Sequence, residues 1–340
     1  MKKQNIVVMT DPDKDQDDLL CLIMLCNLQK AGAATCKGVI TTHGDAHIVF
    51  KRAKYVSGIL KYLNTDMPIC AGRGKSNDHY SEKIFFVNDD VKRILELADK
   101  TKIARNSKIF LKNIFENAEP NSIDILIIAD MTDIADFIKQ NSALFLKKIR
   151  TVNIMGGIIL AQGINFLTPD GCTNNSHDMP AAQHLYSFLR ANKIPTVIIN
   201  HSAAAAVAVS PAFYENFRQK DNLVINHAIE FWKYQFEGLN LVTLKGHNAK
   251  KHSIEWLLKT FTDIPESDYP KIKAMPKNRK TARMITEHTV RINWYDPLTL
   301  IAALDINKKY FTQEKHENFT LMYPKNKDKI YDLFVEYMKG

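Results

Sequence analysis

The apolar positions of this chain fall into short β-branched runs alternating with longer helical stretches. Asn5 to Met9 reads as a buried strand, and Leu19 to Leu28 as a mostly buried helix. Cys36 to Thr42 predicts a second strand, Ile48 to Leu63 a helix, and Pro68 to Ala71 a short third strand. Ile123 to Ala129 is an almost unbroken apolar run, the pattern of a strand covered on both faces. Thr151 to Met155 and Thr196 to Ile199 predict two more strands, ending at Gly156-Gly157 and before Asn200-His201. The alternation predicts an α/β fold with a mostly parallel, Rossmann-like sheet flanked by helices. After about residue 210 the pattern is mainly helical, without a Pro/Gly/Ser-rich linker or an internal repeat. The expectation is one domain over residues 1–340 with a helical C-terminal elaboration.

Composition narrows this only a little. With 340 residues, 45% hydrophobic and 24% charged, the chain can bury a sizeable core and is not globally disordered. Its longest apolar run, Leu19 to Cys26, is far too short to span a bilayer, and the basic start Met1 to Asn5 is not followed by a signal-peptide core. Five cysteines (Cys21, Cys26, Cys36, Cys70, Cys172) form no Cys-x-x-Cys pair, which favours free buried thiols in a reducing compartment. A cytoplasmic protein without a membrane partner is therefore expected. The net charge of +9 is concentrated partly in Lys245 to His252 and Lys271 to Arg283. Neither segment interleaves aromatic platforms or matches a nucleic-acid module, so both read as solvated basic loops and no nucleic-acid partner is expected. An acidic ligand or partner stays open.

Candidate chemistry starts directly after the first apolar run. Asp11, Asp13, Asp15, Asp17 and Asp18 fall within eight residues at a strand-to-helix junction. Carboxylates so crowded repel one another, and the remedies are a bound cation, raised pKa values or full solvation. A helix cap at Asp15 or Asp17 explains one or two of them, not five. An EF-hand starting at Asp11 fails at its sixth and twelfth positions, Gln16 and Leu22. A dehalogenase-type phosphatase would continue Asp-x-Asp with Thr or Val where Asp15 stands. Gly72-Arg73-Gly74-Lys75-Ser76 imitates a phosphate loop, but the Gly it requires is Ile69.

Other strand ends also carry polar groups: His43-Gly44-Asp45, Asp130 to Asp133, and the residues after Met155, with Asn165, Asn174, Asn175 and Asp178. Near the C-terminal end, Asp296 precedes Pro297 and an expected helix over Leu298 to Leu304, where it reads equally as helix cap or metal ligand. His177, His201 and His227 take no assignment.

Here the chain resembles the inosine-uridine type nucleoside hydrolases, as a divergent member. Their Asp-x-Asp-x-x-x-Asp-Asp signature is met by Asp11, Asp13, Asp17 and Asp18. The likeness continues through Ile40-Thr41-Thr42 with Gly44, Met131 to Ala135, Ile154 to Gly157, Asn174 with Asp178, Ala181-Ala182, and Asp296-Pro297-Leu298. The matches keep family order from residue 5 to about 304.

The resemblance implies a Ca²⁺ ion held by Asp13, Asp18, Asp296 and the backbone carbonyl of Ile128, an all-oxygen set that suits calcium. It implies Asp13 as general base toward the water on that ion, followed by attack at C1′ of a riboside. Asp17, Asn165 and Asn174 would bind sugar hydroxyls, with Met155 against the ribose. Dimers or tetramers are common in the family, so a homo-oligomer is expected.

Three positions depart from the family pattern. Asp45 stands where a sugar-binding Asn is common, Cys172 where a Glu is, and Tyr295 where the best-known branch has a leaving-group His. Tyrosine stays protonated near neutral pH and donates a hydrogen bond, but has less driving force for proton transfer. Leaving-group activation then falls to Tyr295, His43 or stacking on Trp294. The preferred expectation is Ca²⁺-dependent hydrolysis of a ribonucleoside or related riboside to ribose and base, as in purine and pyrimidine salvage. A non-catalytic riboside or ADP-ribose-like binder is second, and a metal-dependent phosphohydrolase third.

Overall fold

The computed structural model describes residues 3–13, 15–73, 88–160, 167–246 and 253–340. These form two compact units, one of residues 1–207 with 295–340 and one of residues 208–294. The helical elaboration is thus an inserted unit, and the chain returns to the first unit after it.

The first unit carries the strands β1 (Gln4–Thr10), β2 (Ala34–Thr41), β3 (Ile69–Ala71), β4 (Ile103–Ala104), β5 (Ile123–Ile127), β6 (Ile149–Met155), β7 (Ile158–Leu160), β8 (Leu167–Pro169), β9 (Thr196–Ile199), β10 (Phe311–His316) and β11 (Phe319–Pro324). Its helices are α1 (Gln16–Lys30), α2 (Ala46–Tyr62), α3 (Asp89–Glu96), α4 (Ser107–Glu116), α5 (Thr132–Lys148), α6 (Thr173–His177), α7 (Met179–Ala191) and α8 (His201–Ala206). The inserted unit holds α9 (Pro211–Tyr214), α10 (Leu223–Leu244), α11 (Ile254–Phe261), α12 (Tyr269–Ala274) and α13 (Arg279–Glu287). The chain then closes the first unit with α14 (Asp296–Ala303) and α15 (Lys327–Lys339).

Among the described residues nine strands make one sheet in the order β10-β11-β9-β6-β5-β1-β2-β3-β4. Every neighbouring pair is parallel except the β10–β11 hairpin at one edge. The mostly parallel sheet flanked by helices is the expected one. The hairpin was not: its first strand, Phe-Thr-Gln-Glu-Lys-His, is exposed over its middle, so it carries little of the apolar run by which central strands are recognised. Lys271 to Arg283, expected as a loop, lies instead largely in α12 and α13, with Lys273 paired to Glu255 and Arg283 to Glu237 at 3.3 Å. Most of the other basic segment, 247–252, lies outside the described residues, as do Gly74 to Ser76 of the phosphate-loop look-alike.

Strand order reverses around β1. Successive strands β2, β3 and β4 build out on one side, whereas β5 returns to pair on the other. In open α/β sheets such a switch point opens a crevice at the carboxyl ends of the strands. Register brings those ends level, since Met9 lies opposite both Ile40 and Ile127. Asp11, Thr42 and Ile128 thus leave the sheet side by side. Helix α1 is buried on nearly all sides, including Gln16, Asp17 and Asp18, which explains its apolar sequence and holds the aspartates below the surface.

Candidate functional site

The site is built at that switch point from the loop after β1. Asp18, in the first turn of α1, accepts a short hydrogen bond from the Thr10 hydroxyl and another from the Asp11 backbone N–H at 3.1 Å, through the same Oδ1. Asp17 turns toward the far end of the chain and accepts the Tyr295 backbone N–H at 2.9 Å. That bond docks the start of α14 beside the loop. Asp296 then occupies the first turn of α14, buried, while Tyr295 takes the cap position and no side chain caps the helix. Asp15 stands at the N-cap of α1 and also makes no side-chain cap bond. Capping therefore accounts for neither residue.

Carboxylate oxygens of Asp15, Asp18 and Asp296 all lie within 4.8 Å of one another. Burial first, then the neighbouring carboxylates Asp11 and Asp15, pushes Asp18 well above the usual carboxylate range. Asp296 is pushed up likewise by burial and then by Asp18, Asp17 and Asp15, and Asp17 by burial and Asp15. Groups raised by desolvation and mutual repulsion are those a divalent cation returns to the charged form. The donors are oxygens alone, which fits a hard cation and disfavours zinc or copper.

Asp13, expected as ligand and base, has a basic partner. Its Oδ1 accepts the Arg52 Nε–H at 2.6 Å, and both side chains are buried. Arg52 is fixed further by donating to the carbonyls of Thr42, at 2.9 Å, and His43. Asp13 also sits at φ 108°, a left-handed conformation costly for a residue with a side chain. Sequence reasoning missed Arg52 entirely. The available signal was its place on the apolar stripe of α2, in helical step with Ile48, Val49, Val56 and Ile59, where a lone guanidinium demands a buried acid.

The remaining expected residues distribute as follows. Ile128 follows β5 directly, is buried, and donates its N–H to the Met9 carbonyl at 3.0 Å. Met155 and Asn174 come together, the Asn174 amide donating to the Met155 carbonyl at 3.2 Å and lying 3.3 Å from its sulfur. Asp45 caps α2 by accepting the Ile48 N–H at 2.8 Å. Asn165 lies outside the described residues. Trp294 belongs to the inserted unit, where it is fully buried, gives its indole N–H to the Tyr214 hydroxyl at 2.9 Å, and packs against Phe213.

His43 is also fully buried, its ring tilted against that of His177 with centroids 3.7 Å apart and its Nδ1 3.9 Å from Asp130. The Asp130 carboxyl is pushed up to about 7, mainly by burial. Tyr295 has an unforeseen partner, His201 at the start of α8, whose Nδ1 lies 3.0 Å from the tyrosine hydroxyl. The pair joins positions 94 residues apart, and nothing in the local sequence of His201 announces it.

The comparisons with known proteins bear on this arrangement directly. A family model described as inosine-uridine preferring nucleoside hydrolase matches residues 7–322. The chain belongs to this family. No curated protein sequence matches it at a significant level.

Solved structures of the same fold include the type III effector protein XopQ complexed with adenosine diphosphate ribose, 23% identical with a TM-score of 0.82, over 99% of this chain and 94% of that one. The effector protein XOO4466 is 22% identical with a TM-score of 0.79, over 99% and 93%. A purine-preferring ribonucleoside hydrolase from Gardnerella vaginalis is 12% identical with a TM-score of 0.63, over 99% and 98%. These likenesses establish the nucleoside hydrolase fold. Among the described residues no helix is long and apolar enough to cross a membrane.

Proposed function

We propose that this nucleoside hydrolase family member cleaves the N-glycosidic bond of a ribonucleoside or related riboside, with Ca²⁺ as its cation. The observation that carries the reading is the convergence of buried carboxylates from the β1 loop and from α14 at the switch point of the sheet. When bound there, the cation supplies positive charge that orients ribose hydroxyls and acidifies water.

The chain's own groups do the rest. Asp18 and Asp296 offer oxygen donors with a third loop carboxylate, and a carboxylate of this loop takes the proton from the attacking water. Water adds at C1′ as the bond to the base nitrogen breaks, the electron pair leaves with the base, and ring oxygen shares the positive charge that develops. Asn174 and Met155 form one polar and one apolar wall at the end of β6, suited to a ribose face. The Tyr295 hydroxyl would donate to the leaving base, and its contact with His201 at 3.0 Å supports that role.

The test is hydrolysis of purine, pyrimidine and nicotinamide ribosides by purified protein with Ca²⁺, with Asp18→Asn as control. Release of ribose that disappears in the variant supports the reading, and no turnover on any riboside removes it. A second reading, a non-catalytic binder of ADP-ribose-like ligands, is favoured by the similar XopQ structure complexed with adenosine diphosphate ribose. Calorimetric binding of such a ligand without turnover selects it.

A further inference from the structure

We propose that Asp11, His43 and His177 form a second cation site in the first unit, one for a borderline transition-metal dication such as Zn²⁺, with the Asp130 carboxylate supplying its second negative charge. The site shares no residue with the oxygen-only cluster of Asp15, Asp18 and Asp296, and it depends on neither Ca²⁺ nor riboside turnover.

Four segment ends deliver these groups. Asp11 follows β1, His43 and Asp130 come shortly after β2 and β5, and His177 is the last residue of α6. The chain turns sharply after β2: His43 holds φ 60° and Gly44 φ 100°, and Arg52 fixes the turn by donating to the His43 carbonyl. A left-handed conformation costs a residue with a side chain about 1–3 kcal/mol and persists where its surroundings dictate it. Here it sets a wholly buried imidazole against that of His177, with centroids 3.7 Å apart.

One potential ligand atom from each of Asp11, His43 and His177 lies within 4.8 Å of the others, and all three residues are buried. Zn²⁺ holds nitrogen and oxygen at about 2.0–2.2 Å, so two of its ligands can be at most about 4.4 Å apart, and a small inward movement of these side chains closes the shell. Asp130 gives an independent sign. Its Oδ1 accepts the Thr42 hydroxyl at 2.7 Å and the Thr132 N–H at 3.0 Å. Its buried Oδ2 accepts no hydrogen bond among the described residues and lies 3.9 Å from His43 Nδ1. That distance is too long for a hydrogen bond and is one that two ligands of a single Zn²⁺ can span. Imidazole nitrogens disfavour Ca²⁺ and Mg²⁺, which take oxygen, and favour zinc, nickel or copper. Two carboxylates balance the charge of the dication, as a dry site requires. An ion held here would tie the ends of β1, β2 and β5 to α6.

The test is metal binding. The full chain, without an affinity tag, is stripped with chelator and titrated with ZnCl₂ by calorimetry in excess CaCl₂, and circular dichroism checks the fold of each variant. One equivalent of Zn²⁺ is expected, weakened on the order of 100-fold in His43→Asn and in His177→Gln. Asn suits the left-handed backbone at position 43. Asp18→Asn should leave Zn²⁺ affinity within about fivefold while weakening Ca²⁺. Should either histidine variant fail to fold, Asp130→Asn takes its place, with an expected loss of about 10-fold.

A chain that binds no stoichiometric Zn²⁺ overturns the proposal. So does an affinity unchanged in the folded variants, which would assign the ion to other histidines, or a loss in Asp18→Asn as large as in the histidine variants, which would place it in the oxygen cluster. Zn²⁺ binding with the expected pattern in a chain that takes up no Ca²⁺ or cleaves no riboside leaves this site standing and removes the riboside reading alone.

Discussion

His227 makes the stability of the inserted unit depend on pH in a way that can be calculated. It lies in α10, 1% exposed, with its ring against Phe231 at 5.3 Å. Burial alone lowers its pKa from 6.5 to about 4. The unfolded chain therefore takes up a proton near pH 6.5 that the folded unit refuses until about pH 4. The stabilisation is complete above pH 6.5 and is lost progressively as pH falls toward 4.

A shift of this size corresponds to about 3 kcal/mol across the whole window and about 2 kcal/mol between pH 7 and pH 5. The second interval is the useful one. Glu215 and Glu230 of the same unit, held below the usual range mainly by Arg218 and Lys233, begin to cost stability only in more acid solution.

The assay is urea unfolding followed by intrinsic fluorescence, because all three tryptophans, Trp232, Trp256 and Trp294, belong to this unit. From pH 7 to pH 5 the unaltered chain should lose about 2 kcal/mol more than His227→Leu does, since the carboxyls raised by burial elsewhere act alike in both. An equal loss in the variant would refute the argument, whatever the absolute stabilities.

Other expectations concern the first unit. Gly58→Ala places a Cβ 2.0 Å from the Ile94 carbonyl oxygen, so α2 and α3 must separate; a destabilisation of about 1–3 kcal/mol or more is expected by circular dichroism in urea. Tyr295→Phe removes the hydroxyl beside His201 and should lower kcat about 10- to 100-fold with KM nearly unchanged, and a lowered affinity with intact kcat would contradict a leaving-group role. Ca²⁺ at 100 times its Kd should stabilise the folded chain by about 2.7 kcal/mol, reversed by chelator, and an unmoved melting temperature would argue against the site.

The central sheet was legible because β1, β5 and β6 are buried along nearly their whole length and are mainly apolar. The same physics made α1 readable, since a helix surrounded by protein has no polar face to break the run. The β10–β11 hairpin was not readable, because an edge strand is free to carry Thr, Gln, Glu and Lys.

The candidate site divides similarly. Asp18 and Asp296 could be named from motif and family order, for each sits in the first turn of a helix that periodicity predicts. Arg52 and His201 could not, because their meaning lies in partners across the fold, 39 residues away for Asp13 and 94 for Tyr295. Trp294 shows the converse error: an aromatic beside a site residue in sequence serves a core in space.

The bond from the Tyr295 backbone to Asp17 spans 278 residues. Its consequence belongs to the history of each molecule more than to its final form. The β1 loop is made well before Asp296, which cannot join it until the whole inserted unit has been made. Closing so long a loop is among the costliest contacts for a chain to find, and it comes late. For most of synthesis all five clustered aspartates of the loop are therefore present without Asp296, the carboxylate that α14 brings to them.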